Sequence, residues 1–297
     1  MAELARIRTP LLDLAYEQSG PSDGLPAILL HGFPYDIRSY DDAAALINDA
    51  GFRTIVPYLR GYGPTRFLSK ETIRSGQQAA LGQDLLDFMD ALRIEKAVVA
   101  GYDWGGRAAC IVSALWPERV HGLVSCTGYN IQDLTNATRP YEPEQEVRQW
   151  YQYYFHTERG RNGLTQNHAG ISKLLWKMWS PSWDFDDATF ARSASSFDNE
   201  DFVDVVVQSY MHRTASVAGD PAYDFVEDRL AAQPRIDVPT IVLHGEDDGV
   251  GPVKASENHG RHFTGHYERR VIAGAGHNVP QEKPQEFAEA VIELCRR

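Results

Sequence analysis

The chain is poor in the features that mark membrane, secreted and nucleic-acid-binding proteins. No run of about 18 apolar residues occurs in its 297 residues, and mean hydropathy is -0.40, so no bilayer-crossing helix is expected. Cysteine is scarce: Cys110, Cys126 and Cys295 are an odd number without Cys-x-x-Cys spacing, which argues against a disulfide framework and against a zinc site. Basic residues are outnumbered 29 to 41, leaving a formal net charge of -12, the wrong balance for a polyanion partner. The start, Met1-Ala2-Glu3-Leu4-Ala5-Arg6, lacks the basic-then-apolar layout of a signal peptide. These absences lead to the expectation of a cytoplasmic protein acting on a small molecule, with no metal, cofactor, membrane or nucleic-acid partner. Aromatics are plentiful (Trp 6, Tyr 14, Phe 12), enough for a large core without covalent staples.

Short apolar runs alternate with amphipathic stretches. Pro26–Leu30, Phe52–Pro57, Ala97–Ala100, His121–Ser125 and Thr240–His244 read as buried strands. Between them, Leu81, Leu85, Phe88 and Leu92 fall at helical spacing, and a later helix ends near Trp116, before Pro117. A final helix from about Pro284 repeats Phe287, Val291 and Leu294. This alternation predicts a mostly parallel sheet flanked by helices. It stops between about Ile131 and Arg235, where strand-like runs give way to helix signals and aromatics. The chain therefore reads as an α/β core, 1–130 and 236–297, with a helical cap, 131–235, inserted after the sixth strand.

The sharpest local signal is Gly101-Tyr102-Asp103-Trp104-Gly105-Gly106, where a buried strand meets a helix. It has the form Gly-x-Asp-x-Gly, a nucleophile elbow with Asp at the apex, since the tight turn needs small residues two positions to either side. The competing reading is a glycine-rich turn whose Asp caps a helix. Three further segments favour the first reading. His31-Gly32-Phe33-Pro34 follows an earlier strand, Gly245-Glu246-Asp247-Asp248 follows a late one, and Gly274-Ala275-Gly276-His277 precedes the last helix. The order nucleophile, acid, histidine matches that motif's usual chain order.

With these segments in register over nearly the whole chain, the sequence resembles an α/β-hydrolase with an aspartate nucleophile, in the branch of epoxide hydrolases and haloalkane or haloacetate dehalogenases. The resemblance implies Asp103 as nucleophile and His277 as base. It implies Asp248 rather than Asp247 as the acid that orients the histidine, because family members carry the acid three residues after that glycine. The backbone N–H groups of Phe33 and Trp104 would form the oxyanion hole. An Asp is already ionised near neutral pH. It is suited to displacing a leaving group from saturated carbon, giving an ester that water then hydrolyses. No Gly-x-Ser-x-Gly occurs, so a serine esterase would lack its nucleophile.

An epoxide releases an alkoxide, which needs a proton donor, whereas a halide needs only N–H groups to solvate it. The resemblance implies two donor tyrosines in the cap of epoxide hydrolases, here Tyr154 and Tyr210, with Tyr151 and Tyr153 as rivals to Tyr154. Phe33 stands where many haloalkane dehalogenases carry Asn. Haloacetate dehalogenases place one arginine directly after the nucleophile and another three residues later; Trp104 replaces the first, and only Arg107 remains. That arginine reads as a helix residue paired with a nearby acid. They also take their acid from the loop that here reads Thr127-Gly128-Tyr129-Asn130, which has no carboxylate. Trp104, Tyr153 and Trp150 are expected to bind substrate in an apolar, aromatic-lined pocket, and the other cap tryptophans to pack the cap onto the core. The expectation is an enzyme that opens an apolar or aromatic epoxide to a vicinal diol. The alternatives are a hydrolytic dehalogenase using the same triad and a non-catalytic small-molecule receptor.

Overall fold

Apolar runs too short for helices become the middle of a sheet. The computed structural model describes residues 3–297. Its nine strands are β1 (Glu3–Arg8), β2 (Leu12–Ser19), β3 (Pro26–Leu30), β4 (Arg53–Pro57), β5 (Arg66–Phe67), β6 (Ala97–Gly101), β7 (Val120–Cys126), β8 (Thr240–Gly245) and β9 (Tyr267–Ile272). They lie in the order β1-β2-β4-β3-β6-β7-β8-β9, with β5 beside β2. From β4 to β9 every pairing is parallel, and β2 joins its neighbours antiparallel. Every residue of β6 and β8 is buried, as strands covered on both faces require.

The core helices are α1 (Asp41–Asp49), α2 (Gln78–Ala91) and α3 (Asp103–Leu115). The segment between β7 and β8 holds α4 (Pro143–Arg148), α5 (Trp150–Phe155), α6 (Glu158–Trp179), α7 (Asp187–Ala194), α8 (Phe202–Arg213) and α9 (Asp224–Ala231). After β9 come α10 (Val279–Glu282) and α11 (Pro284–Cys295). α1 pairs with α11 and α2 with α3, flanking the sheet. The helical insertion thus follows the sixth strand of full length, β5 having only two residues.

The topology places the site. β3 and β6 are neighbours, and the connection after β3 runs to β4 on one side while that after β6 runs to β7 on the other, so the two diverge. The crevice beyond the carboxyl ends of such strands is where open α/β sheets bind ligands. His31 to Phe33 leave β3 there, and Asp103 leaves β6 there.

The insertion is seated on this edge by polar contacts as well as packing. Trp176, fully buried, donates its indole N–H to the Pro34 carbonyl at 2.7 Å and stacks on Tyr35. The buried Asp36 carboxylate, pushed up by burial, accepts hydroxyl hydrogens from Ser193 and Ser196, both at 2.6 Å. The last inserted helix, α9, docks on the core instead. Its Glu227 accepts from Gln77, Gln78 and the Ala79 N–H at the start of α2, where a helix favours negative charge. Among the described residues no helix is long and apolar enough to cross a membrane.

Candidate active site

The elbow is built by crowding. A Cβ on Gly105 would lie 2.0 Å from the Leu30 carbonyl oxygen, and one on Gly101 would lie 2.6 Å from the Gly105 backbone. A Cβ on Gly32 would fall 2.4 Å from that of Asp103. Asp103 itself sits at φ +49, a left-handed conformation that costs a non-glycine residue about 1–3 kcal/mol. The turn thrusts the carboxylate out at the start of α3. Gly105→Ala must displace backbone and not a flexible side chain. Its Tm, followed by circular dichroism, is expected to fall by about 2–6 °C.

Three elements converge on that carboxylate. The Phe33 N–H donates to Asp103 Oδ1 at 2.8 Å. Trp104, second residue of α3, carries one of the four N–H groups that a helix start leaves without an intrahelical partner. Asp103 Oδ2 lies 3.8 Å from His277 Nε2 and 4.0 Å from an Arg107 nitrogen. On the far side of the imidazole, Nδ1 is 2.8 Å from Asp248 Oδ2. Asp248 Oδ1 accepts the N–H groups of Val250 and Gly251 at 2.9 and 2.8 Å, which orients the acid. The structure thus brings Asp103, His277 and Asp248 into one line and leaves Asp247 outside it.

The electrostatics follow from that line. Burial would raise Asp103, but His277 at 3.8 Å, the Arg107 charge and the Phe33 N–H outweigh it, and the carboxyl titrates below its ordinary value. Burial would lower His277, yet flanking Asp248 and Asp103 raise it to about 10. The resting pair is therefore carboxylate and imidazolium. His31 behaves oppositely: burial lowers it to about 4, and its Nε2 accepts the Leu59 N–H while Nδ1 faces the Gly32 carbonyl, a structural role. His244, at the end of β8, is held by Ser256 and the Gly251 carbonyl.

The inserted helices place the two expected tyrosines, Tyr154 and Tyr210, differently. Tyr154 turns outward: its hydroxyl lies over Gly163 on α6, and its ring borders an open surface groove with Glu158 and Arg159. The helix α5 instead turns Tyr151 inward, onto the cavity wall beside Asp103 and His277. Its ring meets Tyr210 edge-on at 5.2 Å and Trp179 at 5.1 Å. Tyr210 is buried on α8 against Phe33, Trp104 and Tyr151, and its hydroxyl has no hydrogen-bond partner. Residues 151 and 155, four apart, share the buried face of α5, which is the signal that separates Tyr151 from its neighbours.

The substrate-binding expectations divide. Tyr153 lines the cavity mouth, 45% exposed, with its hydroxyl on Glu146. Trp104 is wholly buried in the aromatic layer behind the wall. Trp150 does not line the cavity; it packs between Tyr151 and Tyr154. Nor is the cavity the apolar one expected. It spans about 1070 Å³, and its wall is polar and apolar in equal measure, with Asn130, Gln132, Gln149, Gln152 and His156 among the polar groups.

Sequence reasoning also missed Glu282. It accepts the N–H groups of Gly276 and Asn278, on either side of His277, at 2.6 and 2.9 Å, and the Ser180 hydroxyl at 2.6 Å. Ser180 in turn accepts the His277 N–H at 3.1 Å. The one His/Glu group among the described residues able to gather round a metal ion, His266, Glu268 and Glu293, is elsewhere, and both carboxylates are paired with Arg270.

The family model described as alpha/beta hydrolase fold matches residues 26–284. A crystal structure from Klebsiella pneumoniae, provisionally described as an epoxide hydrolase, superposes with a TM-score of 0.96 at 46% identity, covering 99% of this chain and 98% of that one. Epoxide hydrolase A of Mycobacterium tuberculosis is 25% identical over 301 residues, covering 91% of this chain and 90% of its own. The AB hydrolase superfamily protein YfhM of Bacillus subtilis is 24% identical over 293 residues, covering 98% of this chain and 96% of its own.

Proposed function

The chain belongs to the alpha/beta hydrolase fold family and is an epoxide-hydrolase-like enzyme of it, and on that premise we propose that it opens an epoxide to a vicinal diol through an ester on Asp103. One observation carries the reading. The two oxygens of Asp103 face different surroundings, Oδ1 taking the Phe33 N–H and Oδ2 facing His277 across the cavity that Tyr151 also lines.

Oδ2 attacks a ring carbon, the C–O bond breaks, and Tyr151 or Tyr210 gives its proton to the departing alkoxide. The imidazolium of His277 returns a proton to that tyrosinate. The electrostatics favour this transfer, because esterification removes the Asp103 charge that helped hold the proton on the ring. Neutral His277, steadied by Asp248, then takes a proton from water as the water attacks the ester carbonyl. Oδ1 becomes the oxyanion, already at the Phe33 N–H, with the Trp104 N–H, which has no partner within α3, as the second donor. Collapse expels the diol alkoxide, which takes the proton of the new Asp103 carboxyl group. Carboxylate and imidazolium are restored, and the sum is epoxide plus water giving diol. No step calls for a metal or organic cofactor. Tyr129, Tyr141, Tyr151 and Tyr153 on the wall would take the hydrocarbon part of the substrate.

A hydrolytic dehalogenase is the second reading, favoured by the indole N–H of Trp104, the residue after Asp103, which is buried with no partner and could solvate a halide. Purified protein incubated in parallel with styrene oxide, a haloalkane and a haloacetate separates the two. Diol from styrene oxide with no halide from the others is expected, and halide release without diol would replace the first reading by the second.

A further inference from the structure

The histidine of the triad is held from the inserted helices as well as from the core. Helix α6 ends at Trp179, and a helix end leaves its last carbonyls without intrahelical partners. Both triad loops take up that of Trp179, which accepts the Gly249 N–H at 2.9 Å and the His277 N–H at 3.2 Å. Contact there is close enough to demand glycine. A Cβ on Gly249 would lie 2.0 Å from the Met178 carbonyl oxygen, and one on Gly276 would lie 2.4 Å from the Ser180 Cα. The Trp179 ring also meets the imidazole edge-on at 5.2 Å.

Glu282 closes this arrangement from the other side. Ser180, the residue after α6, accepts the His277 N–H and donates its hydroxyl hydrogen to Glu282, which also accepts the N–H groups of Gly276 and Asn278. Three consecutive main-chain N–H groups centred on the base are thus fixed by one linked pair, a hydroxyl after α6 and a carboxylate on α10. The hydrogen-bond partners of that carboxylate are all neutral donors, and among the described residues it forms no ion pair with Lys or Arg. Burial pushes Glu282 up, while its charge and the imidazolium of His277 attract one another. The other titratable groups round the ring and Glu282 are Asp103 and Arg107 on α3, Asp248 after β8, His244 at the end of β8, Tyr35 and Tyr102. Burial lowers His244 and raises both tyrosines, so these three are uncharged near neutral pH. Once Asp103 is an ester, Asp248 and Glu282 are the carboxylates left beside the ring.

We propose that Glu282, acting with Ser180, is a positioning residue for the second half of the reaction: it holds the His277 imidazole in line with the ester carbonyl and supports the charge the ring acquires on taking a proton from water. This rests on the Asp103 ester reading and adds a step-specific role to it. Attack by Oδ2 depends on the Asp103 charge and a tyrosine proton, neither of which Glu282 touches. Hydrolysis depends on where the imidazole points, and a displacement of about 1 Å can cost about a hundredfold.

Glu282→Gln keeps the size of the side chain, removes its charge and sets an NH2 group against one of the N–H donors. Rapid-quench mass spectrometry of the Asp103 peptide, with styrene oxide as substrate, follows formation and loss of the ester separately. In Glu282→Gln, loss is expected to slow by about 10- to 100-fold while formation stays within about threefold, so that ester accumulates. The acid limb of the hydrolysis rate should also move to lower pH by roughly 0.5–1 unit, because a ring deprived of a negative neighbour gives up its proton more readily. Glu282→Asp, which keeps the charge, should return the limb toward its wild-type pH while its shorter arm leaves hydrolysis slow. Ser180→Ala should slow hydrolysis by about 3- to 10-fold with the limb unmoved, and it carries the kinetic test where Glu282→Gln does not fold. Equal slowing of formation and hydrolysis, or an unmoved limb in Glu282→Gln, overturns the role and leaves Glu282 a residue of the fold. Unchanged hydrolysis in Ser180→Ala overturns the part given to the inserted helices. Failure of both wild type and His277→Gln to yield ester from any epoxide overturns the ester reading itself, and this role falls with it.

Discussion

His277→Gln enzyme is expected to make one covalent attack and stop. The peptide carrying Asp103 should gain the mass of one substrate molecule and hold it, whereas the wild-type adduct should be short-lived. Asp103 is ionised by its own surroundings, with the Phe33 N–H at 2.8 Å and Arg107 at 4.0 Å, so loss of the imidazole leaves the attacking charge in place. Ester hydrolysis is different, because no other base in the site is aligned with Asp103. Loss of a general base costs about 10²–10⁴-fold, so the ester should persist for many wild-type turnover times. A glutamine also cannot hand a proton back to the tyrosinate, which makes the arrest deeper.

The same chemistry predicts a pH signature in wild-type enzyme. In the resting state His277 holds its proton up to about 10, because Asp103 and Asp248 both favour it. In the ester, Asp103 is neutral and its contribution vanishes, so the ring must lose its proton at a lower pH. The ester-hydrolysis rate, isolated by single-turnover kinetics, should rise with pH and level off well below pH 10. Since a protonated ring cannot accept a proton from water, the fall must lie on the acid side. A hydrolysis rate that declines as pH rises through this range would remove His277 from the role of base.

The contrast between what could be read in the sequence and what could not has a physical cause. Asp103 and the β3–loop and β6–α3 junctions were legible because the elbow restricts backbone neighbours: Gly32, Gly101 and Gly105 are each pressed against another main chain or against Asp103 itself. The central strands were legible because burial on both faces demands uninterrupted apolar runs, as in Ala97–Gly101. The edge strand β9, Tyr-Glu-Arg-Arg-Val-Ile, is half-exposed and charged, so no such run marks it. The β1–β2 hairpin, Glu3–Arg8 and Leu12–Ser19, likewise carries no unbroken apolar run. In the cap, three tyrosines fall within four residues on a helix of six, and composition cannot say which points inward; that depends on how α5 rotates against Phe33 and α8. Arg213 is harder still. At the end of a helix an arginine looks like a solvated residue favoured by the dipole. Its place on the cavity wall is set by how the inserted helices pack on the core, a tertiary event without a local trace.

Replacing both Tyr151 and Tyr210 by Phe is expected to reduce epoxide turnover by about 10²–10⁴-fold or more, while either single change costs less because the remaining hydroxyl can still donate. An alkoxide is about as basic as hydroxide, so ring opening without a donor leaves a full negative charge on the departing oxygen. Both phenols are well suited to giving a proton only at that moment. Burial raises their pKa values, so at rest they are neutral, and Arg213 beside Tyr151 offsets part of that rise. The Tyr210 hydroxyl, buried with no partner, pays the desolvation cost a packing residue would avoid. Tyr154→Phe is the control: with its hydroxyl over Gly163 on the outer side of α5, it should leave turnover within about twofold. The double variant should form diol only at that reduced rate across the pH values where wild type is active, yet retain the wild-type Tm to within a few degrees, since a phenylalanine keeps the ring packing among Phe33, Trp179 and Phe155. A halide substrate makes the discrimination sharper. Halide departs without a proton, so any dehalogenation the wild type performs should survive the double change, and a parallel loss of both activities would mean that these rings shape the pocket and do not donate.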